Sequence, residues 1–297
     1  MQDINTFDNI KVSTKTFTIS TNVIVDCDRL FEQLEIYPYT IQPKRRGRKK
    51  KNSIPIEETK IPYGSILTVK YEDKLKGVDF KPNKNNNSWF RNSVSIVLNL
   101  DKRINFKVCK NGTLQMTGIK QDYQVVDCIK YFWNIIKNKE NIFTFKNDYT
   151  FFSCMIIPSM RNIDFDLGFK VDRSKLSEYL SSNPTLRCLM ETSFGYTGVN
   201  IKIPMTMDKN NIDIKVLTYK DEIWTIRDDK YSTFLNTLDI KDRNKKINDT
   251  KYNTFLVFHS GKVIFSGMTY TTMENTYYDF IKTIEECKNE IMEILVV

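Results

Sequence analysis

Histidine is almost missing from this chain: His259 is the only one among 297 residues. Imidazole is the commonest metal ligand and the usual acid–base group near neutral pH, so His-rich metal sites and most His-dependent catalytic schemes are excluded. Paired cysteines are missing as well. The six cysteines, Cys27, Cys109, Cys128, Cys154, Cys188 and Cys287, are scattered, with no C-x-x-C pair and no nearby histidine to complete a zinc site. They read as buried thiols of a reducing compartment. No apolar run approaches the roughly 18 residues that cross a bilayer, and the first ten residues have neither the basic stretch nor the apolar core of an export signal. The expectation is a protein that acts inside a cell, is not an enzyme, has no membrane or small-molecule partner and needs no cofactor.

The net positive charge is concentrated in one place. The formal net charge is +9, and the run Lys44-Arg45-Arg46-Gly47-Arg48-Lys49-Lys50-Lys51 carries seven of it, leaving +2 for the rest. Such a run reads as a solvated loop, a nuclear-localisation signal or a nucleic-acid arm. Its Arg46-Gly47-Arg48 centre resembles the core of an AT-hook. What the chain does have is apolar material: 40% hydrophobic and 12% aromatic residues build a core for one large domain or two ordinary ones.

It also says the same thing twice. Phe106 to Lys120 reads FKVCKNGTLQMTGIK and Phe255 to Thr269 reads FLVFHSGKVIFSGMT, in register at an offset of 149. Val25-Asp26 with Leu30, Glu32 and Leu34 recurs as Val171-Asp172 with Leu176, Glu178 and Leu180, at an offset of 146. A single duplication of a unit this long means two pseudo-symmetric lobes rather than a solenoid. The expected division is residues 1–145, with a basic insertion at about 38–62, and residues 146–297, with an insertion at about 207–251.

Within the first repeat, Val12 to Ile19 alternates as a strand, with Thr14, Thr16 and Thr18 on one face. Asp26 or Asp28 can cap a short helix through Leu34. The lysine-rich insertion reads as disordered. Strand character returns at Tyr63 to Tyr71, Ser93 to Leu100 and Ile104 to Thr117, where Asn111-Gly112 is a hairpin turn signal. Val125, Val126, Ile129, Phe132, Trp133 and Ile136 then recur at helical spacing. The second repeat follows the same order: a strand near Phe151 to Ile157, another ending at Val171, a helix capped by Asp172, and strands from Leu186 onward. A last helix carries Met273, Tyr277, Phe280, Ile281, Ile284, Ile291 and Ile294 along one side. This order implies an α+β fold, an antiparallel sheet with helices on one face and the other face open.

Ser260-Gly261-Lys262-Val263-Ile264-Phe265-Ser266-Gly267, after Phe255-Leu256-Val257-Phe258, resembles the repeat signature of the TATA-box-binding protein family, and Asn111 to Gly118 is similar in the first repeat. The lysine- and asparagine-rich composition and the large insertions resemble the divergent versions of large nucleocytoplasmic DNA viruses. The resemblance implies two repeats in one saddle-shaped curved antiparallel sheet, with a concave face for the DNA minor groove and convex helices for protein partners. It implies a transcription initiation factor that binds and bends A/T-rich promoter DNA and recruits a transcription-factor-IIB-like protein and RNA polymerase. Its place of action would be the host nucleus or a cytoplasmic viral factory, with packaging in the virion a further expectation. Carried over by position, Thr14, Thr16, Gln115, Thr117, Ile264 and Ser266 face the groove, and Lys120 and Lys262 meet phosphates. Tyr63, Cys109, Leu186 and Phe258 take the four wedge positions that unstack base steps. The chain departs from the family pattern at Cys109, Thr113 and Thr269, and Asn162 is the candidate for one of the family's paired asparagines.

Two other readings compete. One is a scaffold of the same fold with protein contacts only and little DNA affinity. The other is a metal-dependent nuclease with Asp164, Asp166 and Asp172 as ligands, set against the plainer reading of exposed acids and a helix cap.

Overall fold

The computed structural model describes residues 6–39, 61–80, 91–182, 187–191 and 198–293. The basic run from Lys44 to Lys51, Leu186 and Ile294 lie outside the described residues, as does most of the 38–62 insertion.

The first repeat runs β1 (Val12–Thr21), β2 (Val23–Val25), α1 (Cys27–Gln33), β3 (Ser65–Tyr71), β4 (Lys74–Gly77), β5 (Ser93–Asn99), β6 (Arg103–Cys109), β7 (Leu114–Ile119), α2 (Tyr123–Ile136) and β8 (Phe143–Phe145). Asp26 is the cap of α1, its carboxylate accepting from the Arg29 N–H at 3.0 Å. The β6–β7 hairpin closes through a turn in which the Gly112 N–H donates to the Cys109 carbonyl at 2.9 Å. Gly112 itself sits at φ 79°, which is a turn followed by a left-handed glycine. Helix α2 buries Val125, Ile129, Phe132, Trp133 and Ile136, as its spacing requires, and Phe132 meets Phe106 of β6 edge-on at 5.2 Å.

The second repeat runs β9 (Phe152–Asp166), α3 (Arg173–Ser181), β10 (Arg187–Glu191), β11 (Gly198–Pro204), β12 (Asp213–Lys220), β13 (Ile223–Lys230), α4 (Tyr231–Asn236), α5 (Ile240–Asn248), β14 (Tyr252–Phe258), β15 (Lys262–Gly267) and α6 (Tyr270–Ile291). The two strands expected before Asp172 are one: β9 continues through Pro158 for 15 residues, because proline's fixed φ fits extended backbone. Val171 makes only an isolated bridge to Met292. The 207–251 insertion is folded, and Ile212, Ile214, Tyr231, Phe234 and Leu235 gather with Ile157 into a small apolar cluster of their own.

The chain divides into two compact units, one of residues 18–154 with 217–225 and the other of residues 1–17, 155–216 and 226–297. In the first unit the strands lie in the order β7-β6-β5-β3-β4, all antiparallel, and β2 pairs with β8 separately. In the second the order is β10-β11-β14-β15-β9, again antiparallel. The second unit's core joins Phe255 and Phe265, whose rings stack at 3.9 Å, with Phe280 of α6, also 3.9 Å from Phe255. Each fully buried side chain of this size contributes roughly 2–3 kcal/mol over an exposed one, and dispersion adds to that in a close-packed interior. Phe7, 1% exposed, enters the same core from near the start of the chain, 5.3 Å from the ring of Tyr277.

Candidate nucleic-acid interface

Strand alternation decides what each sheet shows. In β6 the residues Ile104, Phe106 and Val108 are buried, while Asn105, Lys107 and Cys109 are half-buried or exposed on the other side. In β7, Leu114 and Met116 point inward and Gln115 and Thr117 outward. The equivalent strands β14 and β15 bury Phe255, Val257, Val263 and Phe265, and turn Thr254, Leu256, Phe258, Lys262, Ile264 and Ser266 to the open side. One face of each sheet is therefore covered by a long helix and the other left open.

The two open faces share one register. Asn105 pairs with Thr117 and Lys107 with Gln115; 149 residues on, Thr254 pairs with Ser266 and Leu256 with Ile264. The loops around them repeat as well. The Val25 N–H donates to the Lys110 carbonyl and the Val171 N–H to that of His259, both at 2.9 Å. Asp26 and Asp172 each cap the helix that follows, and their own N–H groups reach the carbonyls of Ile142 and Ile291 at 2.8 and 2.7 Å.

Extended across the strands, the first unit's face reads Lys70, Ser95, Lys107, Gln115 in one row and Val97, Asn105, Thr117 in the next, the latter row ending in Thr68, which is buried with its hydroxyl donating to the Val78 carbonyl. The second unit's reads Leu189, Asn200, Leu256, Ile264, Asp164 and then Lys202, Thr254, Ser266, Asn162. Lys70 is held by Asp79 at 2.5 Å. The Asn162 carbonyl accepts from the Ser13 hydroxyl at 3.2 Å, which anchors β1 beside it.

The structure thus brings Cys109, Gln115 and Thr117 together on one face, and Phe258, Lys262, Ile264, Ser266 and Asn162 together on the other. Thr14 and Thr16 are half-buried in β1, Thr16 on the side opposite the buried Phe17 and Ile19. Tyr63 does not join the first unit's rows. Its ring, 50% exposed, stands edge-on to Tyr131 of α2 at 5.1 Å, and Tyr131 in turn lies over Gly64, where a Cβ would come within 2.8 Å of its ring. Lys120 stands beyond the end of β7, its backbone N–H donating to the Gln124 side chain.

Asn105, Lys107, Thr254 and Leu256 were missed as face residues, although the alternation Phe-Lys-Val-Cys and Phe-Leu-Val-Phe already marked them as the outward positions of the first hairpin strand. Asp164 and Asp166 do share a face, opposite Ile264 and Lys262. Asp172 is engaged instead as the cap of α3, its carboxylate accepting from Ser174 and Lys175. Among the described residues no three His, Cys, Asp or Glu side chains could hold a metal ion together.

The open side is electrostatically uneven. Burial lowers the pKa of the Lys107 ammonium, with the neighbouring Cys109 acting in the other direction. Burial raises the Cys109 thiol, against the pull of Lys107.

No protein-family model matches the chain. It is 28% identical over 228 residues to a protein named TATA-box-binding protein-like from Acanthamoeba polyphaga mimivirus, a match that covers 69% of this chain and 57% of that protein. The resemblance to the TATA-box-binding protein family is thereby shown. A second relative, Uncharacterized protein 335L of Invertebrate iridescent virus 6, is 26% identical over 299 residues, covering 96% of this chain and 86% of its own length. Among solved structures, Methanococcus jannaschii TBP aligns over 93% of this chain and 98% of its own with 13% identity and a TM-score of 0.44. The observed α+β fold, antiparallel strands backed by helices, is the class that the order of elements in the sequence implied.

Proposed function

We propose that the open faces of the two repeats bind double-stranded A/T-rich DNA through its minor groove and bend it, in the service of transcription initiation. The observation that carries this reading is the shared register of the two faces, which sets a hydroxyl or amide at matching positions, Asn105 with Thr254 and Thr117 with Ser266, and in the second unit places Asn162 and the apolar Leu256, Ile264 and Phe258 beside them. An A·T minor groove presents acceptors and no amino donor. A surface of short donors and apolar bodies suits it, with the exposed Asp164 and Asp166 of the second unit acting against it. Phe258, at the end of its strand on the open side, is the side chain best placed to wedge between base steps. The name of the mimivirus relative points the same way. Recruitment of a transcription-factor-IIB-like protein and RNA polymerase belongs on the outward sides of the helices, since the sheet faces are committed to DNA.

The protein-only scaffold is favoured by two features: the carboxylates of Asp164 and Asp166 on the second unit's face, and Cys109 where the repeat places Phe258. Electrophoretic mobility shift with A/T-rich and G/C-rich duplexes of equal length separates the readings. Retention of the A/T-rich duplex at lower protein concentration supports DNA recognition. Equal and weak retention of both sinks it in favour of the scaffold.

A further inference from the structure

The repeat makes one pair of positions directly comparable. Cys109 and Phe258 end equivalent strands, and beside them Lys107 stands for Leu256 and Gln115 for Ile264. At these positions the second unit is apolar. The first unit has lost a ring and gained an ammonium. Here lies an open cavity of about 530 Å³, lined among others by Arg91, Lys107, Cys109, Thr113 and Gln115, with no carboxylate among the described residues of its wall. Its floor is fixed by the sheet: Ser93 pairs with Cys109, and the Lys110 N–H donates to the Asn92 carbonyl at 3.1 Å, holding the Arg91 segment against the hairpin turn. The ammonium of Lys110, which also borders the cavity, is engaged by Tyr71, and Lys107 and Arg91 bring further positive charge to the wall.

We infer that this cavity seats a phosphate of the DNA backbone between Lys107 and Arg91, so that the first repeat grips the backbone with the positions at which the second repeat presents Phe258 as a wedge. A phosphodiester needs cations and short donors, and the Thr113 hydroxyl and Gln115 amide complete such a set. Burial disfavours the Lys107 ammonium, and a bound anion reverses that penalty. The inference rests on the DNA-binding reading, and it makes the two repeats unequal: one holds the backbone and the other supplies the wedge.

The test uses the full chain and has two arms. In the first, alkylation of Cys109, which is half-buried in the cavity, is followed by mass spectrometry with and without an A/T-rich duplex, and again with inorganic phosphate. Protection by the duplex is expected, with weaker protection by phosphate at high concentration. In the second arm, the salt dependence of duplex binding is compared between wild type, Lys107→Met with Arg91→Ala, and Cys109→Phe. Removing one neutralised phosphate flattens the slope of log affinity against log salt by about 0.9. The double variant should lose one such step, and Cys109→Phe should lose it too while increasing the bend measured between end-labelled duplexes. A duplex that binds without protecting Cys109, or variants that keep the wild-type slope, overturns the phosphate seat while leaving DNA binding in place. Absence of any duplex binding by the wild type sinks the function reading instead. The phosphate arm then decides alone whether the cavity takes this anion, and no protection there overturns the seat as well.

Discussion

Gly112 offers a test of how the repeat is built, because a neighbouring glycine supplies its control. Gly112 and Gly118 both adopt left-handed backbone, at φ 79° and 73°. A Cβ on Gly118 would meet nothing within 4 Å, whereas one on Gly112 would lie 1.9 Å from the Val23 carbonyl oxygen and 2.6 Å from the Thr21 hydroxyl. Gly118→Ala therefore carries only the left-handed strain of about 1–2 kcal/mol, partly offset by the about 0.4–1 kcal/mol that alanine gains through a less flexible unfolded chain. Gly112→Ala carries the same strain and must also push Val23 back by more than 1 Å to reach a Cβ contact that real structures show. That movement threatens the Thr21 hydroxyl bond to the Gly112 carbonyl, 2.8 Å, and the Val25 bond to Lys110, 2.9 Å, at about 1 kcal/mol each. The expected loss is about 2–4 kcal/mol for Gly112→Ala against about 1 kcal/mol or less for Gly118→Ala. At 2–4 °C per kcal/mol this is a fall in Tm of roughly 4–16 °C against a few degrees. Urea and thermal melts followed by circular dichroism would read the loss for each variant. Gly261, at φ 85° with Phe169 carbonyl oxygen 2.1 Å from its would-be Cβ, should behave as Gly112 does. Equal losses for Gly112→Ala and Gly118→Ala would show that the approach of β2 to the hairpin turn is not the constraint described.

Phe258→Ala should reduce the bend of a bound A/T-rich duplex, measured by fluorescence transfer between its ends; an unchanged bend removes Phe258 from the wedge role. Asp164→Asn together with Asp166→Asn removes two exposed carboxylates from the second unit's face and should tighten duplex binding several-fold at low salt, with the gain shrinking as salt screens it. Weaker binding, or loss of a metal-dependent cleavage activity, would instead favour the nuclease reading. Burial pushes the Tyr277 phenol up to about 12, with Tyr278 beside it adding to the effect. The phenol is thus neutral in the folded state while the unfolded one ionises near 10, so the stability that Tyr277 contributes is complete below about pH 10 and lost as pH rises through about 12. Tyr277→Phe should flatten the alkaline limb of a stability–pH curve, and an identical limb in the variant would contradict the assignment. Cys27 and Cys287, both raised by burial to about 11, contribute to the part that remains, together with other thiols and phenols that burial raises, Cys128, Cys154 and Tyr231 among them.

Local signals made much of the fold legible. The Phe-x-Val and x-Gly blocks name the hairpin strands and their turns, since inward aromatic residues and a left-handed glycine leave little alternative. Val-Asp followed by leucines four apart names the capped helices, and Leu30, Leu34, Leu176 and Leu180 are all buried as that spacing demands. Pro158 hid the length of β9, because proline reads as a break while its fixed φ is tolerated in extended chain. The 207–251 insertion was opaque for another reason. Its strand β13 is exposed along nearly its whole length, so it shows no alternation to read. Of the candidate site, the outward hydroxyl residues and Phe258 followed from the repeat, but Tyr63 did not. Its strand was identified, and only tertiary packing against Tyr131 decides where its ring goes.

Phe7 closes its core against Tyr277, Tyr270 and Phe265, side chains made some 260 residues after it. During synthesis the segment of residues 18–154 is complete long before its counterpart and can begin to organise as a unit. Phe7 and Ile10 have no such early partner. They must stay out of water or be shielded until α6 has left the ribosome. An early-terminated chain therefore exposes two apolar side chains at one end and a sheet without its covering helix at the other. This marks truncated products for chaperones and proteases, and makes the synthesis of α6 the step after which the second unit can first close.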